Sequence, residues 1–135
     1  MEDRYLFKAK RTDNGEWVQG ALFNGESHCI IGQEIKFSPY TEHECKIVGY
    51  EVDRDTICQC TGLKDKNGNL IWENEIIKCK FGIAVAVWDK SEWRIKWVKD
   101  NIWRKDLHYW VVEDNQRTEV VGNIFDNTEL LESEE

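Results

Sequence analysis

Five cysteines and three histidines are the side chains of this 135-residue chain best suited to hold a metal. His28 stands beside Cys29, His43 is two residues before Cys45, and Cys58 is two residues before Cys60. Structural zinc wants paired thiolates separated by a turn of two to four residues, so that both converge on one tetrahedral ion. Cys58 and Cys60 instead sit two apart in an extended stretch, which puts them on one face of a strand. Cys79 alternates with Ile77 and Phe81, as a small buried hydrophobe would. Buried free thiols are the expectation, with no metal and no cofactor. An odd number of cysteines also argues against a disulfide framework.

The carboxylates carry little more. Asp53-Arg54-Asp55 has the spacing of an acidic pair, yet such pairs in polar loops are ordinary solvated faces, and Glu42-His43-Glu44 is no more specific. The glycines and lysines of Thr61–Gly68 could cradle an anion. A phosphate loop, however, needs G-x-x-x-x-G-K-[ST] opening a helix, whereas Asn67-Gly68 leads into a strand-like segment. Gly62 and Gly68 are therefore expected to supply positive φ, with Leu63 entering the core. No residue is assigned a catalytic role.

The basic-aromatic segment 90–105 offers another chemistry. Lys90, Arg94, Lys96, Lys99, Arg104 and Lys105 stand against Glu92 and Asp100, with Trp93, Trp97 and Trp103 interleaved. Rings that stack on bases and cations that meet phosphates are the parts of a single-strand groove. Arg4, Lys8, Lys10 and Arg11 add a second cluster. Against this, period two in Trp93–Trp97 puts Trp93, Ile95 and Trp97 on one face and Arg94 and Lys96 on the other. Core packing of the rings is the preferred reading, and nucleic-acid binding through Lys90, Arg94, Lys96, Lys99, Trp103, Arg104 and Lys105 is the alternative.

The elements that would position these residues are mostly strands. Tyr5, Phe7 and Ala9 alternate, Thr12–Gly15 is a turn, and Trp17–Phe23 follows, which makes the clearest hairpin of the chain. Asn24-Gly25 turns toward a weaker strand near His28–Ile31. Pro39 interrupts the polar stretch 33–55, where Lys46–Val52 is an expected edge strand. Thr56–Cys60 is extended and enters the Thr61–Asn69 loop. Leu70–Trp72, Glu75–Phe81, Ile83–Trp88 and Trp93–Val98 continue the series. Leu107–Glu113 and Thr118–Phe125 are the last two expected strands, turned by Asp114-Asn115. Asn127–Leu131 caps and starts one helical turn. About ten short strands spaced by turns argue for a barrel or sandwich, here a small closed or half-open barrel around Glu75–Val98. One domain over residues 1–131 with a loose acidic tail at 132–135 is the expected organisation.

Composition narrows the function classes. Apolar residues make up 41% and charged residues 33%, which excludes a disordered chain of low hydrophobicity. The formal net charge is −8, but eight acids and one base fall in Glu113–Glu135, which leaves the body near neutral. An acidic terminus on a neutral body does not oppose an anionic partner. No apolar run approaches the ~18 residues of a spanning helix, and MEDRYLFKAK lacks a signal-peptide core. A soluble, cytoplasmic protein without membrane partners is expected.

Three segments resemble the YopX family of small phage and prophage proteins. They are Arg4–Arg11 with Asn14–Gly20, then Gln59–Gly68 onward through Ile71–Lys78, and finally Val120–Leu131. The resemblance implies a mostly-β fold, a mobile-element origin and self-association, and it implies no enzymatic activity. The chain departs from the family's pattern where Cys60 replaces an aromatic and where Glu73-Asn74-Glu75 replaces an acidic-Gly-Asp turn. The resulting expectation is a non-enzymatic phage or prophage accessory protein, acting in the host cytoplasm as a homo-oligomer with a host or phage protein as partner.

Overall fold

The computed structural model describes residues 3–36, 45–114 and 117–132. Pro39, Glu42, His43, Glu44, Asn115 and the tail residues Ser133–Glu135 fall outside them. Among the described residues ten strands form, all antiparallel where they pair, and helical structure is confined to short turns. The fold is mostly β, in two sheets, as the alternation predicts. The chain divides into two compact units, Met1–Gln59 and Cys60–Glu135.

The first unit is a meander. β1 (Phe7–Lys10) pairs with β2 (Trp17–Asn24), β2 with β3 (Cys29–Lys36), and β3 with β4 (Cys45–Glu51). The Thr12–Gly15 turn forms as expected, with Gly15 at φ 75° because a tight turn needs a residue without the Cβ penalty there. Alternate residues of β1, β2 and β3 face one core of Ala9, Val18, Cys29 and Ile31, which Val52, just past β4, completes. β4 is the expected edge strand. Only its far end returns to β1, through an Arg11–Val52 bridge and the bond from Thr12 N to Glu51 O at 3.0 Å. The first residues of β5 (Cys58–Lys64) pair with β1, with Lys8 opposite Cys58.

In the second unit the rest of β5 pairs with β6 (Leu70–Trp72), across a bulge between Cys60 and Lys64. A four-stranded sheet follows in the order β10 (Glu119–Asn123), β7 (Glu75–Cys79), β8 (Gly82–Asp89), β9 (Glu92–Trp97). Ile77, Cys79, Ala84, Ala86, Ile95 and Trp97 share its inner face, and Leu107, Trp110 and Val111 cover them. Among the described residues no ladder joins β9 to β10. The described strands thus show no closed barrel around Glu75–Val98.

Two expected boundaries change. Leu107–Glu113 is not a strand: it is helical, ending in a wide turn in which Asp114 N reaches Tyr109 O at 3.0 Å. Leu107, Trp110 and Val111 are buried, and their spacing of three and four is a helical stripe. The β-branched pair Val111-Val112 favoured a strand locally, and tertiary packing overrode it. The Asp114-Asn115 hairpin is lost with that strand. The loop after Cys60 also begins later, because β5 runs on to Lys64 and leaves only Asp65–Asn69 as the turn.

Candidate functional site

The structure divides the basic-aromatic segment. Lys90, Arg94, Lys96 and Lys105 line one open groove of about 730 Å³, together with Trp88, Asp89 and Asp100. Arg94 is held by Glu92 at 2.6 Å, so three carboxylates offset four cations. Lys99, Trp103 and Arg104 do not line the groove. Arg104 is clamped by both oxygens of Asp106 at 3.0 and 3.1 Å, which raises its pKa, and it lies over the Tyr109 ring. Trp93, Ile95 and Trp97 turn to the core side while Lys96 is exposed, as strand alternation requires. Rings and cations thus face opposite ways along β9. The second cluster is spent locally: Arg4 covers Tyr5, Lys8 and Lys10 cover Trp17, and Arg11 binds Asp13 and covers Tyr50.

The thiols disperse. Cys29, Cys58, Cys60 and Cys79 are buried and outside any disulfide, while Cys45 is exposed. Among the described residues no three His, Cys, Asp or Glu side chains gather as metal ligands. Burial pushes the Cys79 thiol up to about 12, against a smaller opposing effect of its hydrogen bond with Thr118. A thiol held protonated in this way is a poor nucleophile. Asp53-Arg54-Asp55 is exposed, as expected, and it also braces its surroundings. Asp53 accepts from Asp55 N to cap a short turn, and Arg54 donates to Asn24 Oδ1, Gly25 O and Glu26 O.

The Thr61–Gly68 loop proves to be a backbone clamp. Asp65 is 5% exposed. Its Oδ1 accepts from Asn67 N and Asn69 N, and its Oδ2 accepts from Val120 N, each at 2.9 Å. Burial alone would raise its pKa, but the three backbone donors from Val120, Asn69 and Asn67 hold it below the usual carboxylate range. Thr61 Oγ1 donates to Ile71 O and accepts from Leu63 N. Gly62 and Gly68 take φ of 82° and 84°, as expected, and Leu63 packs on the core. At the other end of the clamp, Asn123 Oδ1 accepts from Phe125 N and Asp126 N. Asn127 Oδ1 accepts from Asn123 N instead of capping the turn that follows. Gly122 leaves room for that side chain, since a Cβ there would lie 2.6 Å from Asn127 Oδ1.

The family model described as YopX protein matches residues 6–132. The chain belongs to the YopX family. No curated protein matches it in sequence. The two departures from the family's pattern both have a physical account. Cys60 is fully buried opposite Trp72, a core position. Asn74 stands at φ 69°, where asparagine tolerates the left-handed region better than other non-glycine residues. Its N–H reaches Ala86 O and its carbonyl accepts from Ile124 N. Residues through which the YopX resemblance was recognised therefore hold turns and ladder ends together.

Sequence reasoning did not locate the exposed apolar surface of this YopX-family chain. Phe81 and Trp103 stack face to face, with ring centroids 4.0 Å apart and an interplanar angle of 6°. Trp103 is 43% exposed, and its neighbour Ile102 is 95% exposed. Phe81 was read only as the continuation of β7. Its pairing with a tryptophan 22 positions later has no local signal. Among the described residues no helix is long and apolar enough to cross a membrane.

Proposed function

We propose that this YopX-family chain is a phage or prophage accessory protein that acts in the host cytoplasm by binding protein, itself included, without catalysing a reaction. The observation that carries the reading is the Phe81–Ile102–Trp103 surface. Large exposed apolar side chains that touch one another mark interaction sites, and tryptophan is enriched among the residues that dominate binding energy. The motif residues supply no competing chemistry, because Asp65, Thr61, Asn123 and Asn127 are committed to backbone bonds. Nucleic-acid binding at the Lys90–Lys105 groove is the weaker alternative, since Glu92, Asp89 and Asp100 offset its four cations and, of the two rings that line it, Trp97 is buried and only Trp88 is exposed.

A photo-crosslinking p-benzoylphenylalanine in place of Ile102 tests the proposal in bacterial cells that express the protein. Discrete adducts are expected, at twice the chain's mass for self-association or at another mass for a partner. The same probe in place of Glu16, on an exposed polar turn, should give none. Equal labelling at both positions, or none at either, would refute the reading.

A further inference from the structure

We propose that the open edge of β4 is the seat of self-association, with two copies joined antiparallel about Val48. The inference rests on the self-association included in the proposed function and assigns it a surface. β4 lies at the end of its sheet and is paired in register with β3 along its whole length, from Cys45 opposite Lys36 to Glu51 opposite Ile30. The direction of its backbone groups follows from one bond. Val52 donates its N–H to Cys29 O at 2.9 Å. Along an antiparallel ladder, residues that exchange bonds with one neighbour alternate with residues whose groups point away. Tyr50 and Val48 therefore spend their groups on β3, while Glu51, Gly49 and Ile47 turn theirs outward. Glu51 confirms the phase, because its carbonyl accepts from Thr12 N on that outer side.

Among the described residues no strand pairs with the outward N–H and C=O groups of Ile47 and Gly49, which remain as a template for another strand. The devices that usually blunt an edge are missing from Ile47–Tyr50: it holds no charge and no proline, and its register is continuous. Ile47 is 79% exposed, although an aliphatic side chain gains by burial. A second copy is the occupant that fits. A two-fold axis at Val48 places Ile47 of each chain opposite Gly49 of the other. Both residues have outward groups, so the two pairs close four backbone hydrogen bonds. The side chains are self-complementary as well, because each protruding Ile47 meets a residue with no side chain. Gly49 could not easily be larger, since a Cβ there would lie 2.8 Å from Ile30 Cγ2. Such an isologous contact closes on itself and needs no other surface.

Sedimentation velocity of the full chain from 1 to 100 µM tests this. The unaltered protein should associate, and Ile47→Pro should weaken association about tenfold or more, since one donor is lost from each of the two Ile47–Gly49 pairs. Because that N–H is not used by β3, the fold should survive, as proline does on the solvent side of an edge strand. Ile47→Lys, which keeps the N–H but places a charge at the contact, should weaken association too. Hydrogen exchange on the unaltered protein needs no variant: the Ile47 and Gly49 amides should gain protection as concentration rises. Association that persists in both variants, with these amides exchanging freely, overturns the β4 assignment while leaving self-association intact. A monomer at every concentration overturns both. Protection that arises only when a different protein is added overturns the second copy as occupant.

Discussion

Replacing Asp65 should be among the most damaging single changes in the second unit. Its carboxylate answers three backbone N–H groups, from Asn67, Asn69 and Val120, and alanine would leave all three without an acceptor. A buried donor left unsatisfied costs about 1–3 kcal/mol. Water can reach some of the loop, so the low end applies and Asp65→Ala should lose about 3–5 kcal/mol. That is a fall of roughly 10–15 °C in Tm for a chain of this size. Asp65→Asn keeps one oxygen but presents an N–H₂ to one of the donors, and should lose about half as much. The pH dependence carries the sharper signature. Because the folded pKa lies below the unfolded value, ionised Asp65 stabilises the native state above the unfolded pKa of about 4, and that stabilisation disappears as pH falls through the folded pKa. Urea unfolding followed by tryptophan fluorescence between about pH 3 and 7 should therefore show Asp65→Asn losing less stability on acidification than the parent. A loss under 1 kcal/mol for Asp65→Ala, or parallel pH profiles, would refute the clamp.

Two further outcomes follow from packing. A Cβ on Gly20 would lie 2.2 Å from the backbone oxygen of Gly32, so Gly20→Ala should cost about 3 kcal/mol or more, whereas Gly32→Ala, whose nearest neighbour is Ile47 Cγ2 at 3.7 Å, should stay within about 1 kcal/mol; equal melting temperatures for the pair would contradict this. In native protein at pH 8, Ellman's reagent should react rapidly with one thiol, that of exposed Cys45, while Cys79, pushed up to about 12, and the other buried cysteines wait for unfolding. A fast thiol that persists in Cys45→Ser would contradict that assignment.

The parts of the fold legible in the sequence are those fixed by neighbours in the chain. The Thr12–Gly15 turn, the alternation of Trp93, Ile95 and Trp97, and the core placement of Cys60 and Cys79 each depend on local period or on one turn residue. The helical segment at Leu107–Val111 was misread because its β-branched residues and its stripe of buried positions pull in different directions, and packing against Trp97 and Ile95 decides between them. The clamping role of Asp65 has no local signal, because its third donor, Val120, lies 55 positions away. The bonds of exposed Arg54 have no local signal for the same reason, since the carbonyls it holds are near residue 25. The exposed Phe81–Trp103 stack went unseen because period two describes which face a ring takes, not whether anything covers that face.

Those long-range bonds also decide where function can reside. A general base needs a carboxylate with an open lone pair and a pKa near the working pH. Asp65 has both oxygens engaged and a lowered pKa, so the best-placed buried acid of the family-like loop is suited to holding backbone, not to moving protons. The most strongly shifted thiol is shifted away from reactivity. With those polar motif groups engaged inside the fold, the surfaces that support the proposed binding role are backbone along β4 and apolar area at Phe81, Ile102 and Trp103. Both are features that recognise another polypeptide: the edge through directional hydrogen bonds at a fixed strand spacing, the ring stack through area that leaves water on contact. They belong to different compact units, and each makes its own demand on a partner. The two crosslinking and sedimentation experiments therefore test separable parts of one proposal, and a variant at Ile47 should leave adducts at position 102 with a non-self partner unchanged.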